Sequence, residues 1–481
     1  MTEPDTDGRD PGASSERGRA ARKAVPRSVH SAWEPAADRP DPVVLLAEQN
    51  ATRVDWLVPI RHFRMSASPF TFYRGSARIM ASDLATTPST GLDVQLGGDA
   101  HLSNFGAYAS PERQLVFDAN DFDETLRGPW EWDLKRLAVS FTIAARDQSM
   151  PPEVARQVTA AVVRSYREAM ARHATQGVLD IWYEHVRVDD VRSAIEAGGL
   201  ASGDVAARLE RFERKARSKT NLQALKKLTL DDGGRRRFRA DPPVLLPLHS
   251  LPDQYDPDGL EAQFRAALEA YKGTLADDRR WLLDQYEPVD FAVKVVGVGS
   301  VGTRCLIALF EGRRGGDPLF LQAKEASASV LEEHLGASPY RNHGQRVVEG
   351  QRMIQAESDI FLGWTQGGAG HQHYYIRQLR DWKGSADIAS FDVESLDFYA
   401  GVCGRTLARG HARSGDPCAI SAYLGKGDTM DRAITRFAER YAEQNDRDYA
   451  AFMEAIESGR LPIEDERDAA DLAKAALVGL P

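Results

Sequence analysis

The chain is short of the features that would place it in a special class. Its three cysteines, Cys305, Cys403 and Cys418, are odd in number and scattered along 481 residues. That pattern suggests neither a disulfide framework nor a zinc site, and fits a reducing cytoplasm. No run of about 18 apolar residues occurs, so no helix is expected to span a membrane. The N-terminus lacks the apolar core of a signal peptide. Basic residues are outnumbered, 61 Lys and Arg against 71 Asp and Glu, and a net charge of −10 gives no general argument for nucleic-acid binding. What is present is an ordinary globular composition, 42% hydrophobic and 27% charged. The chain is longer than one core sustains, so a cytoplasmic protein of two or more lobes is expected.

Apolar side chains are also scarce over residues 1–42, where Asp, Glu, Arg, Ser, Gly and Pro dominate. Such a segment buries too little surface to offset its chain entropy, and the expectation is a disordered tail. From Val43 to about Phe63 the pattern reads as helical. Met65 to Gly75 breaks it, with Pro69 as the stop. Phe70, Phe72 and Tyr73 there are expected inside. Arg74 is open to two readings, a phosphate or carboxylate contact and a surface ion pair.

Chemistry concentrates in Gly97-Gly-Asp-Ala-His-Leu-Ser-Asn-Phe-Gly106 and its sequel Leu115-Val-Phe-Asp-Ala-Asn-Asp-Phe-Asp-Glu124. Leu115-Val-Phe reads as a short strand delivering Asp121 beside the first loop. Asp99 and Asn104 stand in the order D-x-x-x-x-N, the spacing of a kinase catalytic loop, where the Asp accepts a hydroxyl proton and the Asn holds a metal. An Asp-Phe pair follows, as in the metal-binding element of kinases. Turn formation and a hydrolytic metal site are the other readings of so many Asp, Asn and His residues. Gly128 to Ala138 reads as a loop becoming a helix, with Asp133 capping it or orienting the preceding loop. Pro152 to His173 carries a helical core face at Val154, Val158, Ala161, Val162, Tyr166 and Met170.

Arg208 to Arg239 is strongly basic, either a solvated helix face or a docking surface for an anionic substrate. Asp241 to Pro247 reads as an extended linker, and Glu261 to about Asp284 as an amphipathic helix. The period then changes. Phe291–Val296 reads as a strand, Gly297-Val-Gly-Ser-Val-Gly302 as a glycine-rich loop, Arg304–Glu311 as a second strand and Pro318–Glu325 as a third, which carries Lys324. Strand, G-x-G-x-x-G, strand, turn and lysine strand form the front end of a kinase nucleotide lobe, whereas a dinucleotide fold needs a helix after the glycines. Gly297, Gly299, Ser300 and Gly302 are the candidate phosphate cradle, because their backbone N–H groups can approach phosphate oxygens closely. Lys324 is the candidate phosphate cation. A helix over Arg346–Glu357 offers Glu349 as the carboxylate that positions Lys324, with Glu332, Glu333 and Glu357 as rivals. Tyr374–Leu379 is a further strand, followed by a hinge and by helices through about Ile456.

The parts of a phosphotransferase are therefore present in an unusual order, catalytic loop first and nucleotide lobe after it. Joining the helix that ends near His411 to the strand before Gly97 restores the usual order, which is a circular permutation. Gly98-Asp-Ala-His-Leu-Ser-Asn104 resembles the H-G-D-x-H-x-x-N loop of the aminoglycoside and choline phosphotransferases. Asn120-Asp-Phe-Asp123 and Leu407-Ala-Arg-Gly-His411 resemble the elements after and before that loop. With Trp132-Asp-Leu-Lys-Arg-Leu-Ala138, Ser68–Gly75 and His411–Asp416, the set over about residues 43–455 resembles the bacterial family DUF2252.

The resemblance implies an α+β, protein-kinase-like two-lobe fold with a mostly helical catalytic lobe and a small antiparallel β nucleotide lobe. Residues 43–285 would form the catalytic-loop lobe with a helical insert, 286–390 the nucleotide lobe, and 391–481 the helices completing the first. Asp99 would be the catalytic base, with Asn104 and Asp121 as magnesium ligands. His101 would shape the loop or serve as a turn histidine. Asp123 would add a second metal ligand or cap a turn. Gly97 departs from the first His of the antibiotic kinases. The expected activity is ATP- and Mg-dependent phosphoryl transfer to a hydroxyl of a small molecule. AMP transfer, a nucleotide-binding sensor or scaffold, and a metal-dependent hydrolase are the alternatives.

Overall fold

The computed structural model describes residues 10–465 except 197–202, 243, 252–255, 295–300, 315, 368–371 and 380. It is a mixed α+β protein whose sheets are all antiparallel. The helix Trp130–Asp147 is buried on every side from Trp130 to Ala145. A helix so enclosed must satisfy its polar side chains internally. Glu131 accepts from Thr90 N at 2.7 Å, and Lys135 donates to Thr87 Oγ1 at 2.9 Å. Around it pack Pro152–His173, Val393–Ser414 and Thr429–Glu457. Val158, Ala161, Val162, Tyr166 and Met170 are core, as their period predicts.

The largest sheet has six strands, in the spatial order Gly363–Gly367, Gln372–Gln378, Pro318–Ala326, Cys305–Gly312, Tyr286–Lys294 and Leu245–Pro247. Both of its faces are covered, so its strands read as apolar runs rather than strict alternations. Helix Pro257–Lys272 packs on one face through Leu260, Leu268 and Tyr271. On the other, Ala224, Leu228 and Phe238 cover Ile307, Leu309 and Phe320. Alternation along the strand puts Lys324 on that second face, beyond the covered end and directly across from Cys305 and Tyr375. Helix His343–Ile354 fills the space between sheet and acidic loop, with Val347 and Val348 packed among Phe122, Ala326 and Tyr375.

Four expectations change. The segment before Val43 is ordered from Asp10 onward, with a helix over Pro11–Ala24; residues 1–9 lie outside the described set. Its arginines do the anchoring that apolar residues do elsewhere: Arg17 pairs with Asp416 at 2.7 Å, and Arg22 and Arg27 donate to the carbonyls of Ala422 and Leu424, each at 2.5 Å. Arg39 bridges Asp83 and Asp448 at 2.7 and 2.6 Å, and Trp33 and His30 are buried. Pro69 opens a helix, Pro69–Gly75, rather than stopping one, because Ser68 caps it and proline suits the first helical turn. The linker Asp241–Pro247 contributes the sixth strand, and the stretch after Glu261 forms two helices, Pro257–Lys272 and Asp277–Leu283. Among the described residues no helix is long and apolar enough to cross a membrane.

Candidate functional site

The loop that starts at Gly97 is built on a buried carboxylate. Asp133, in the first turn of the central helix, accepts from Gly97 N at 2.7 Å and Gly98 N at 3.0 Å. His411 Nε2 lies 3.2 Å from the same carboxylate, and Tyr166 OH lies 2.8 Å from His411 Nδ1. Of its two expected roles, Asp133 takes the second and orients the loop. Gly98 has φ +83°, and a Cβ there would lie 2.1 Å from Glu124 O, so the first loop and the acidic loop touch through a glycine.

Asp99 projects from this anchored backbone. Arg136, one helical turn beyond Asp133, donates from Nε to Asp99 Oδ1 at 2.9 Å, and its Nη2 lies 2.7 Å from the same oxygen. Arg136 also donates to Tyr73 O, and its guanidinium lies 3.9 Å from the Tyr73 ring centre. His101 Nε2 stands 3.8 Å from Asp99 Oδ2, and its Nδ1 is buried without a partner. Burial, then the charges of Arg74 and Arg136, push the His101 imidazole well below its ordinary pKa, so it is neutral at pH 7. Asn104 Nδ2 donates to Asp99 O at 2.8 Å. That bond turns the amide oxygen, the atom a metal requires, away from Asp99.

The acidic loop meets Lys324 at the same place. Lys324 Nζ lies 2.7 Å from Asp123 Oδ2 and 4.0 Å from Asp121 Oδ1. Tyr375 OH donates to Asp123 Oδ1 at 2.7 Å. Burial opposes the Lys324 ammonium, but Asp121 and Asp123 outweigh it and hold its pKa well above the ordinary value. Burial likewise raises Asp123, and the charge and hydrogen bond of Lys324 outweigh it, leaving that carboxyl below the usual range. Asp121 is raised by burial and by Asp123. Arg346 ties the loop's backbone down, donating to Asp123 O at 2.8 Å and Thr125 O at 2.7 Å. Burial, opposed by Arg346, lifts Glu124 to about 7.

One assignment is corrected by this geometry. Glu349 does not position Lys324; it lies 3.4 Å from Arg352 on its own helix. Asp123 has taken that part, one oxygen on Lys324 and the other on Tyr375. Of the glycine-rich loop, Gly297, Gly299 and Ser300 lie outside the described residues. Gly302 is described: its carbonyl accepts from Val54 N at 2.8 Å, and it packs on the Arg53 side chain.

Asp99, His101, Asn104, Asp121 and Asp123 line one cleft of about 550 Å³. Arg74 joins them with its Nε buried and unpartnered, close enough to Asp99 and Asp121 to feel both charges. Of its two readings, the surface ion pair is set aside. Arg136, Arg346 and Tyr375 were not singled out from the sequence. Arg136 has a usable signal, since it lies in the quoted Trp132–Ala138 stretch one turn after Asp133. Arg346 and Tyr375 reach the site only through tertiary packing.

A family model described as "Uncharacterized protein conserved in bacteria (DUF2252)" matches residues 53–455. No curated protein matches the chain, and no solved structure matches it.

Proposed function

The chain belongs to the DUF2252 family, and from the site its residues build we propose an Mg-ATP-dependent phosphotransferase acting on a hydroxyl of a small molecule. The architecture we infer is a protein-kinase-like pair of lobes in circularly permuted order. One observation carries the reading: Lys324, on the third of the consecutive strands Tyr286–Lys294, Cys305–Gly312 and Pro318–Ala326, pairs with the acidic loop that follows Asp99 and Asn104. A metal-dependent hydrolase has no use for such a lysine-bearing sheet. The permutation is supported where Val393–Ser414 ends, because Ser414 Oγ accepts from Gln95 N at 3.1 Å in the strand leading to Gly97.

The donor set fits magnesium. Asp121 and the amide oxygen of Asn104 are hard oxygen ligands, and among the described residues no group of three His, Cys, Asp or Glu side chains forms a metal cage. An ion that keeps waters and phosphate oxygens in its shell needs no such cage. Mg-ATP, when bound, supplies the phosphoryl group and neutralises charge at the transferred phosphate. Lys324 would hold phosphate oxygens, and Asp123 and Tyr375 hold Lys324. Arg136 occupies Oδ1 of Asp99, which leaves Oδ2 to align the acceptor hydroxyl and take its proton. Positioning and fixed charge would account for most of the rate.

The ion pair and hydrogen bond between Arg136 and Asp99 also favour a second reading, a nucleotide-binding sensor in which Asp99 is structural. Thermal shift separates the readings. Mg-ATP at about a hundred times its Kd should add ~2.7 kcal/mol to the folded state. Lys324→Ala and Asp121→Ala should each weaken that gain. Turnover of ATP lost in Asp99→Asn would identify the phosphotransferase, and a shift without turnover the sensor. No shift with any nucleotide would sink both.

A further inference from the structure

A second cavity, of about 380 Å³, lies between helix Gly203–Arg217 and the start of Val393–Ser414 and shares no lining residue with the cleft. Its size falls in the range of small-molecule sites. Its floor is Phe117, Tyr399 and Val402, all buried, and its outer wall is Leu209 and Phe212. The mouth is basic. Helix Gly203–Arg217 carries cations at 208, 211, 214, 215 and 217. Three have carboxylate partners: Arg208 with Asp392 at 3.1 Å, Arg214 with Glu210 at 3.4 Å and Arg217 with Glu213 at 2.9 Å. Arg211 and Lys215 are exposed, line the cavity mouth, and have no such partner among the described residues. They stand one helical turn apart, where like charges repel. One acid, the exposed Asp387, also borders the cavity.

An apolar chamber with two uncompensated cations at its lip has the complement of an amphiphilic anion. We propose that this cavity is a ligand site for a molecule with one aliphatic chain and a terminal carboxylate, the chain against Val402 and Phe212 and the carboxylate between Arg211 and Lys215. The floor gives such a ligand a route to the cleft. Tyr399 OH lies 2.9 Å from Leu102 O and 3.1 Å from Phe105 O, on either side of Asn104. Phe117 sits on the strand that leads to Asp121 and packs edge-on against Tyr399, ring centres 5.8 Å apart.

The test is calorimetric titration of the full chain with dodecanoate, dodecanol and dodecyltrimethylammonium, which share a chain and differ in head charge. Dodecanoate should bind, the cationic amphiphile at least tenfold more weakly, and the alcohol in between. Arg211→Glu with Lys215→Glu, both on the surface, should weaken dodecanoate at least tenfold and leave dodecanol unchanged. Leu209→Trp, which fills the chamber from its outer wall, should block both. No binding to the wild type, binding indifferent to head charge, or dodecanoate binding untouched by both variants would each overturn the proposal. So would a dimer on size-exclusion chromatography that Leu209→Trp dissociates, since the occupant would then be a second copy of the chain.

Discussion

Asp133 spends both carboxylate oxygens on Gly97 N, Gly98 N and His411; Asp133 and His411 are buried, and the two glycines are half-buried. Removing it strands two backbone donors at once. Asp133→Ala should therefore cost at least ~3 kcal/mol, read as a fall in the urea midpoint at unchanged m-value. Asp123 and Glu349 make a sharper pair. If Asp123 holds Lys324, Asp123→Asn should weaken Mg-ATP binding by an order of magnitude or more, and Glu349→Gln should leave it unchanged; titration calorimetry on both variants decides. The pair also marks what a sequence can disclose about a site. Spacing made Asp99, Asn104 and Asp121 legible because they share one loop and its sequel. The partner of Lys324 lies 201 positions away, and the stretch after its strand offers four glutamates, Glu332, Glu333, Glu349 and Glu357, between which no pattern chooses. Only packing chooses between them.

Elements were legible wherever period and burial agreed. Pro152–His173 and the strands around Lys324 form as their patterns require. The largest failure is an element whose stability comes from charge. Helix Pro11–Ala24 fully buries only Ser14 and Gly18, and is fixed by Arg17 to a carboxylate and by Arg22 to a carbonyl more than 390 positions away. No local pattern records that. The next turn, Arg27–Ser31, docks through His30, whose Nε2 lies 2.8 Å from Tyr423 OH. Burial, with the charge of Lys135, lowers His30 to about 3 from its ordinary 6.5. The undocked segment therefore takes up a proton below pH 6.5 that the docked one refuses. Docking should be at full strength above pH 6.5 and lose ~1.4 kcal/mol for each unit below it, down to about pH 3. Hydrogen exchange over residues 11–31 should rise accordingly, and His30→Gln should flatten the slope.

At the scale of the molecule, distant parts of the chain close one core. Asp118, just before the acidic loop, takes both oxygens to Arg409 at 2.6 Å, and both side chains are almost fully buried. The N-terminal helix lies against Pro417–Leu424, where a Cβ on Gly18 would come within 2.1 Å of Ala419 O. A chain starting at Pro26 loses that helix but none of the cleft residues. It should be less stable by about 1–3 kcal/mol, the worth of a few hydrogen bonds. In thermal melts it should still show the Mg-ATP shift, and loss of that shift would mean that the helix supports the cleft.

The contact between Arg17 and Asp416 spans 399 positions, and that distance is also a delay. A ribosome adding 5–20 residues each second needs roughly 20–80 s to make the partner after the helix has emerged. For that interval the first helix has nothing to rest on, and the acidic loop waits for Lys324 in the same way. The order of synthesis thus leaves the side of the Gly97–Gly106 loop that Tyr399 covers without its partner until Val393–Ser414 has been made.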